Sequence, residues 1–152
     1  MKIPFLILGT FFAALAQGSR STNIHGHFCT GTTATLLANV SIQNLSTIDQ
    51  TIQVQGGLRS LTSTNKDVVA SWAPRNCGHD CTDQGGSWYK IAAGGVQEFL
   101  ALVASQPVGD YIAYGSILVK EDRGTVTAFG WTNWQDDLNR YLPLTINSGR
   151  PF

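Results

Sequence analysis

The chain has 152 residues, with ten basic side chains against ten acidic ones, only 13% of residues charged, and sixteen glycines. Balanced charge argues against the basic face that nucleic acid requires, and low charge with Gly, Thr and Ser in most gaps is the composition of short strands and turns, not of a disordered tail. The length suits one domain with its own core.

Met1 and Lys2 form a short positive start, residues 3–15 are almost wholly apolar, and Ala14-Leu15-Ala16 has the small-x-small form that signal peptidase cuts. This predicts a signal peptide over residues 1–16, an extracellular protein and a mature chain from Gln17. The apolar run is too short to span a bilayer, and no later window is apolar enough to try. Residues 17–30 are polar and without period, so a loose N-terminal arm is expected there, ahead of a folded domain over residues 31–152.

Residues 35–43 alternate, with Leu36, Ala38, Val40 and Ile42 on one face and Thr35, Asn39, Ser41 and Gln43 on the other, the pattern of a half-buried strand. Residues 44–47 read as a turn and residues 51–55 resume the alternation until Gly56 and Gly57 stop it, which predicts a hairpin. Strands follow over residues 68–72, 88–91 and 97–104, with a long loop of turn formers over residues 75–87. Residues 111–120 are apolar on both alternating sets, as in a strand covered on both faces, and Asp122-Arg123-Gly124 would let residues 125–131 return beside it as a central hairpin. Residues 141–147 complete seven or eight strands, and no segment has a helical period. The prediction is an all-β, single-domain antiparallel β-sandwich.

All three histidines and all three cysteines fall in two clusters, His25-Gly26-His27-Phe28-Cys29 and Cys77-Gly78-His79-Asp80-Cys81. In an oxidising compartment one bridge and one leftover thiol are expected, with Cys29 paired to Cys77 or Cys81; closing a loop of about fifty residues would contribute about 4 kcal/mol. Alternate residues of an extended segment share a face, so His25, His27 and Cys29 could meet one ligand, and His79 would join them through the bridge. A zinc or copper site is one outcome, but these spacings match no standard finger, and a disulfide with exposed histidines beside it is the simpler reading. No cofactor is therefore expected.

Catalytic motifs are missing: there is no Gly-x-Ser-x-Gly elbow, no His-Glu-x-x-His and no phosphate-cradling glycine loop. Adjacent acids such as Asp136 and Asp137 point apart in an extended chain and read as solvated turn charges, so a non-enzymatic protein is expected. Trp131, Asn133, Trp134 and Tyr141 instead gather amphipathic rings and an amide at the exit of a strand, and Trp88 and Tyr89 could extend the group into a binding surface; Phe129 and one of the two indoles are assigned to the core. Asn39-Val40-Ser41 and Asn44-Leu45-Ser46 are formal glycosylation sequons, the second the better placed because the first lies mid-strand.

The succession Gly115-Ser116-Ile117-Leu118-Val119, a charged turn, Thr125-Val126-Thr127-Ala128-Phe129, then Trp131 to Gln135 and Tyr141, resembles the central hairpin and aromatic loop of the actinoporin-like β-sandwich proteins, including the fungal aegerolysins; residues 39–44 are similar to their early strand. The resemblance covers about half of the mature chain. It implies a secreted toxin- or effector-like protein that recognises a lipid head group, with Phe129, Trp131, Asn133, Trp134 and Tyr141 near the site. Actinoporins insert an N-terminal amphipathic helix, for which residues 17–28 show no periodicity. The expected function is therefore recognition of a host cell surface, through a membrane lipid, a glycan or a surface protein, by a monomer. The alternatives are a subunit of an extracellular fibre or adhesin, joined through an edge strand, and an extracellular metal-binding protein.

Overall fold

The computed structural model describes residues 20–62, 68–75, 87–136 and 140–152. These form eleven strands: β1 (Arg20–Thr30), β2 (Ala34–Asn44), β3 (Gln50–Ser60), β4 (Val68–Ser71), β5 (Ala73–Pro74), β6 (Tyr89–Ile91), β7 (Val96–Gln106), β8 (Gly109–Val119), β9 (Val126–Gln135), β10 (Arg140–Pro143) and β11 (Thr145–Ile146). A six-stranded sheet runs β11-β1-β8-β3-β4 with β6 also on β3, and a five-stranded sheet runs β10-β9-β2-β7-β5. All pairs are antiparallel, and the chain is the predicted sandwich. The leader expected over residues 1–16 lies outside the described residues.

Alternation decides what goes inside. Leu36, Ala38, Val40 and Ile42 of β2 face Ile52, Val54 and Leu58 of β3 and Ala113, Ile117 and Val119 of β8 across one core, all essentially fully buried. The opposite face of each strand looks outward.

Three expectations need correction. The arm predicted over residues 17–30 is, from Arg20 to Thr30, a strand paired with β8 along its whole length. Neither predicted hairpin exists: β8 lies between β1 and β3, whereas β9 lies between β2 and β10, and β2 and β3 likewise belong to different sheets. Turn-forming residues permit an arch between sheets as readily as a hairpin, and here side chains fill the arch. Arg20 donates through Nη1 to the Gly124 carbonyl at 2.6 Å and through Nε to that of Glu121 at 3.1 Å, while Gln50 Nε2 donates to Arg123 O at 3.0 Å. Finally, the run predicted over residues 141–147 divides between the two sheets, and the chain just past the run predicted over 68–72 forms a further strand, β5, on the other sheet, which with β1 brings the strands to eleven against the seven or eight expected.

The first division falls at Trp72. Its backbone N–H donates to Gly56 O at 3.1 Å and its fully buried indole donates to Tyr114 O at 3.0 Å, so β4 stays on the six-stranded sheet while β5 steps onto β7 of the other. Gly56 and Gly115 are partners across β3 and β8 at this point, both at positive φ, and a Cβ on Gly115 would overlap the Gln55 carbonyl. The second division falls at Leu144, whose N–H donates to Gly130 O at 2.9 Å and whose side chain packs on Gly26 of β1 and Gly130 of β9.

Trp72→Ala should lower the unfolding free energy by about 3–5 kcal/mol in urea titrations, because a large cavity opens where the two sheets are joined. Glu121 gives a pH signature. Partial burial raises the pKa of its carboxyl, but the Thr51 N–H at 2.6 Å and hydroxyl at 2.7 Å, together with the Arg20 charge, outweigh this and hold it below the usual carboxylate range. A group depressed in the fold stabilises above its unfolded pKa and loses that contribution as pH falls through the folded value. Stability of the native chain should therefore decline below pH 4.5 more steeply than that of Glu121→Gln, and parallel curves would refute the assignment.

Candidate recognition face

The outward side of the five-stranded sheet carries an unusual set of residues. The strand register aligns Tyr141, Asn133, Leu37 and Leu102 in one row across β10, β9, β2 and β7, and Pro143, Trp131, Asn39 and Leu100 in the next. Phe129 lies opposite Ser41 in a third row. Phe129 is 58% exposed, Tyr141 61% and Leu102 61%, and the Phe129 and Trp131 rings stack with centroids 6.4 Å apart. Such a concentration of exposed rings on one surface marks a contact site more often than chance scatter.

Two amides sit among these rings. Asn39 is 2% exposed and Asn133 5%, and the Oδ1 atom of each is buried with no hydrogen-bond partner among the described residues. A buried carbonyl left unpaired costs about 1–3 kcal/mol, so the fold carries a penalty here that an incoming donor could relieve.

Trp131, Asn133 and Tyr141 share this face, but on the paired strands β9 and β10 and not on the aromatic loop expected at a strand exit, and three other assignments change. Trp134 lies three residues on, and odd separation along a strand means opposite faces. Its ring is 4% exposed and stacks on Phe28 inside the core with centroids 5.0 Å apart, so it cannot meet a ligand. Phe129, assigned to the core, points to solvent for the same reason. Trp88 and Tyr89 are elsewhere: Tyr89 packs edge-to-face on inward-facing Phe99 at 5.4 Å, and Trp88 lies under the Lys120 ammonium at 5.9 Å.

On the other sheet, His25, His27 and Cys29 do share the outward, exposed face of β1. Cys29 forms no disulfide among the described residues; Cys77, Cys81 and His79 lie outside them. Its thiol donates to Asp110 Oδ1 at 2.6 Å, and that hydrogen bond, with slight desolvation and the carboxylate charge, raises the thiol pKa. Asp110 is the residue that sequence reasoning misses. Its only signal is strand register, which places it opposite Cys29 although the two are 81 positions apart.

The sequons fare differently from expectation. Asn44 is fully buried, and its Nδ2 donates to the carbonyls of Ile48, Ile91 and Ala92, so it is no better placed for a glycan than Asn39.

No family model, no curated protein and no solved structure matches this chain. The residues compared above with the actinoporin-like proteins fall on β2, β8, β9 and β10, and so on both sheets.

If the Asn133 amide is held for binding and not for folding, Asn133→Leu should leave stability unchanged or raise it by about 1 kcal/mol, since an apolar isostere removes the unpaired carbonyl. A loss above about 1 kcal/mol in urea denaturation would show that the amide supports the sheet.

Proposed function

We propose that this chain is a non-enzymatic recognition protein, exported by the leader read at its N-terminus, that takes a host-surface ligand on the outer face of its five-stranded sheet. Phe129, Trp131 and Tyr141 supply ring faces, and Asn133 and Asn39 supply hydrogen-bond acceptors. The observation that carries the reading is the pair of unpaired amide oxygens set among exposed rings. Rings that can stack on the apolar face of a sugar, next to carbonyls that accept from hydroxyls, fit a glycan or a glycosylated lipid head group better than a bare apolar partner. Asn side-chain amides turn about a soft terminal torsion, so the oxygens can swing toward a donor as it arrives.

Membrane damage does not follow from this reading. The segment that would supply an inserting helix is, from Arg20 onward, a fully paired strand.

A fibre subunit is the second reading, favoured by one observation: β10 is an edge strand whose four residues are all exposed. The two diverge in light scattering, where a recognition protein stays monomeric and a subunit forms concentration-dependent polymers.

The double variant Trp131→Ala with Tyr141→Ala should lose at least tenfold in affinity for the cognate glycan surface or glycolipid vesicle, roughly the effect of removing a stacking contact worth more than 1.4 kcal/mol, with circular dichroism unchanged. Undiminished binding by a folded double variant would remove the site.

A further inference from the structure

A second site lies on the opposite side of the molecule. The outward positions of β1 place His27 and Cys29 side by side, and the β1–β8 register sets Asp110 directly across from Cys29. One donor atom from each of the three lies within 4.8 Å of the others. Cys29 Sγ is 2.6 Å from Asp110 Oδ1, and His27 Nε2 is 3.7 Å from the same oxygen.

We propose that His27, Cys29 and Asp110 form a zinc site with its fourth position open to water or to an outside ligand.

The donor set is the first argument. One imidazole nitrogen, one sulfur and one carboxylate oxygen are all donors that zinc accepts, whereas calcium and magnesium would demand oxygen throughout. Geometry is the second. Zinc bonds of about 2.0–2.3 Å in a tetrahedron put neighbouring donors about 3.5 Å apart, and the separations here bracket that value. Rigidity is the third: β1 and β8 pair over eleven residues, and the Asp110 peptide is held by the chain just past β3, its N–H donating to Thr62 Oγ1 at 2.5 Å and its carbonyl accepting the Leu61 N–H at 2.8 Å. All three side chains are reachable from solvent, so the ion has a path in. His25 also faces outward but lies opposite Tyr114, and is not among the three clustered donors.

This site is independent of the recognition face, which lies on the other sheet. It is incompatible with a bridge from Cys29 to Cys77 or Cys81, because a disulfide sulfur cannot serve as a thiolate ligand.

Cobalt(II) titration of the purified protein tests the proposal. One equivalent should produce the visible bands of tetrahedral cobalt with a sulfur-to-cobalt charge-transfer band, all displaced by zinc. Cys29→Ser should abolish the charge-transfer band, and His27→Gln and Asp110→Asn should each weaken zinc binding by at least about tenfold, no less than the loss of an outer-shell partner. The double variant Cys77→Ser with Cys81→Ser, which leaves Cys29 as the single thiol, should keep the full spectrum. The proposal is overturned if Cys29 in the native protein fails to react with a thiol reagent until a disulfide is reduced, if bound cobalt shows no sulfur band, or if Cys29→Ser, folded by circular dichroism, holds zinc as tightly as the native chain.

Discussion

The sandwich depends on a strand that changes sheets at one tryptophan. Trp72 donates one hydrogen bond from its backbone to Gly56 and another from its indole to Tyr114, and the strands on either side of it belong to different sheets. Gly56 and Gly115 face each other across β3 and β8 at that point, where a Cβ on either would overlap the backbone of the opposite strand. Leu144 marks the second crossing, its side chain lying against one glycine from each sheet, Gly26 and Gly130. The two sheets are therefore joined by covalent chain as well as by packed core.

With the interior fixed in this way, each outer face is free to take on another task. Strands β1 and β9 show this most clearly. The inward positions of β1 hold Ile24 and Phe28, and its outward ones hold His25, His27 and Cys29; the inward positions of β9 hold Ala128 and Trp134, and its outward ones hold Phe129 and Trp131. The chemistry is segregated by sheet, with rings and amides on one exterior and a thiol, an imidazole and a carboxylate on the other. Both sets rest on hydrogen-bonded strands, which fixes their positions more tightly than a loop would.

The strands whose local pattern carries the core are legible in the sequence. β2 reads directly, because four successive inward positions are apolar and the outward ones are mostly not. β1 does not: Thr22, Gly26 and Thr30 occupy inward positions, and Gly26 is small because Leu144 arrives from the far end of the chain to cover it. No local period can report a constraint imposed from that distance. The same limit hides the pairing of strands, since turn formers around Asp122 to Gly124 look alike whether the chain folds back in one sheet or arches to the other. The candidate faces divide along the same line. Trp131 and Trp134 are assigned to opposite faces by their odd spacing alone, a signal present in the sequence, whereas the meeting of Asp110 with Cys29 exists only in the register.

The pairing of β1 with β8 has a consequence for how the molecule assembles in time. Arg20 aligns with Val119 and Thr30 with Gly109, so the earliest strand to leave the ribosome must wait for the eighth before it acquires its principal neighbour. Contacts this remote along the chain slow the search for the native topology, and no early fragment can close the larger sheet. Until synthesis has passed Val119, the six-stranded sheet lacks the strand that joins β1 to β3.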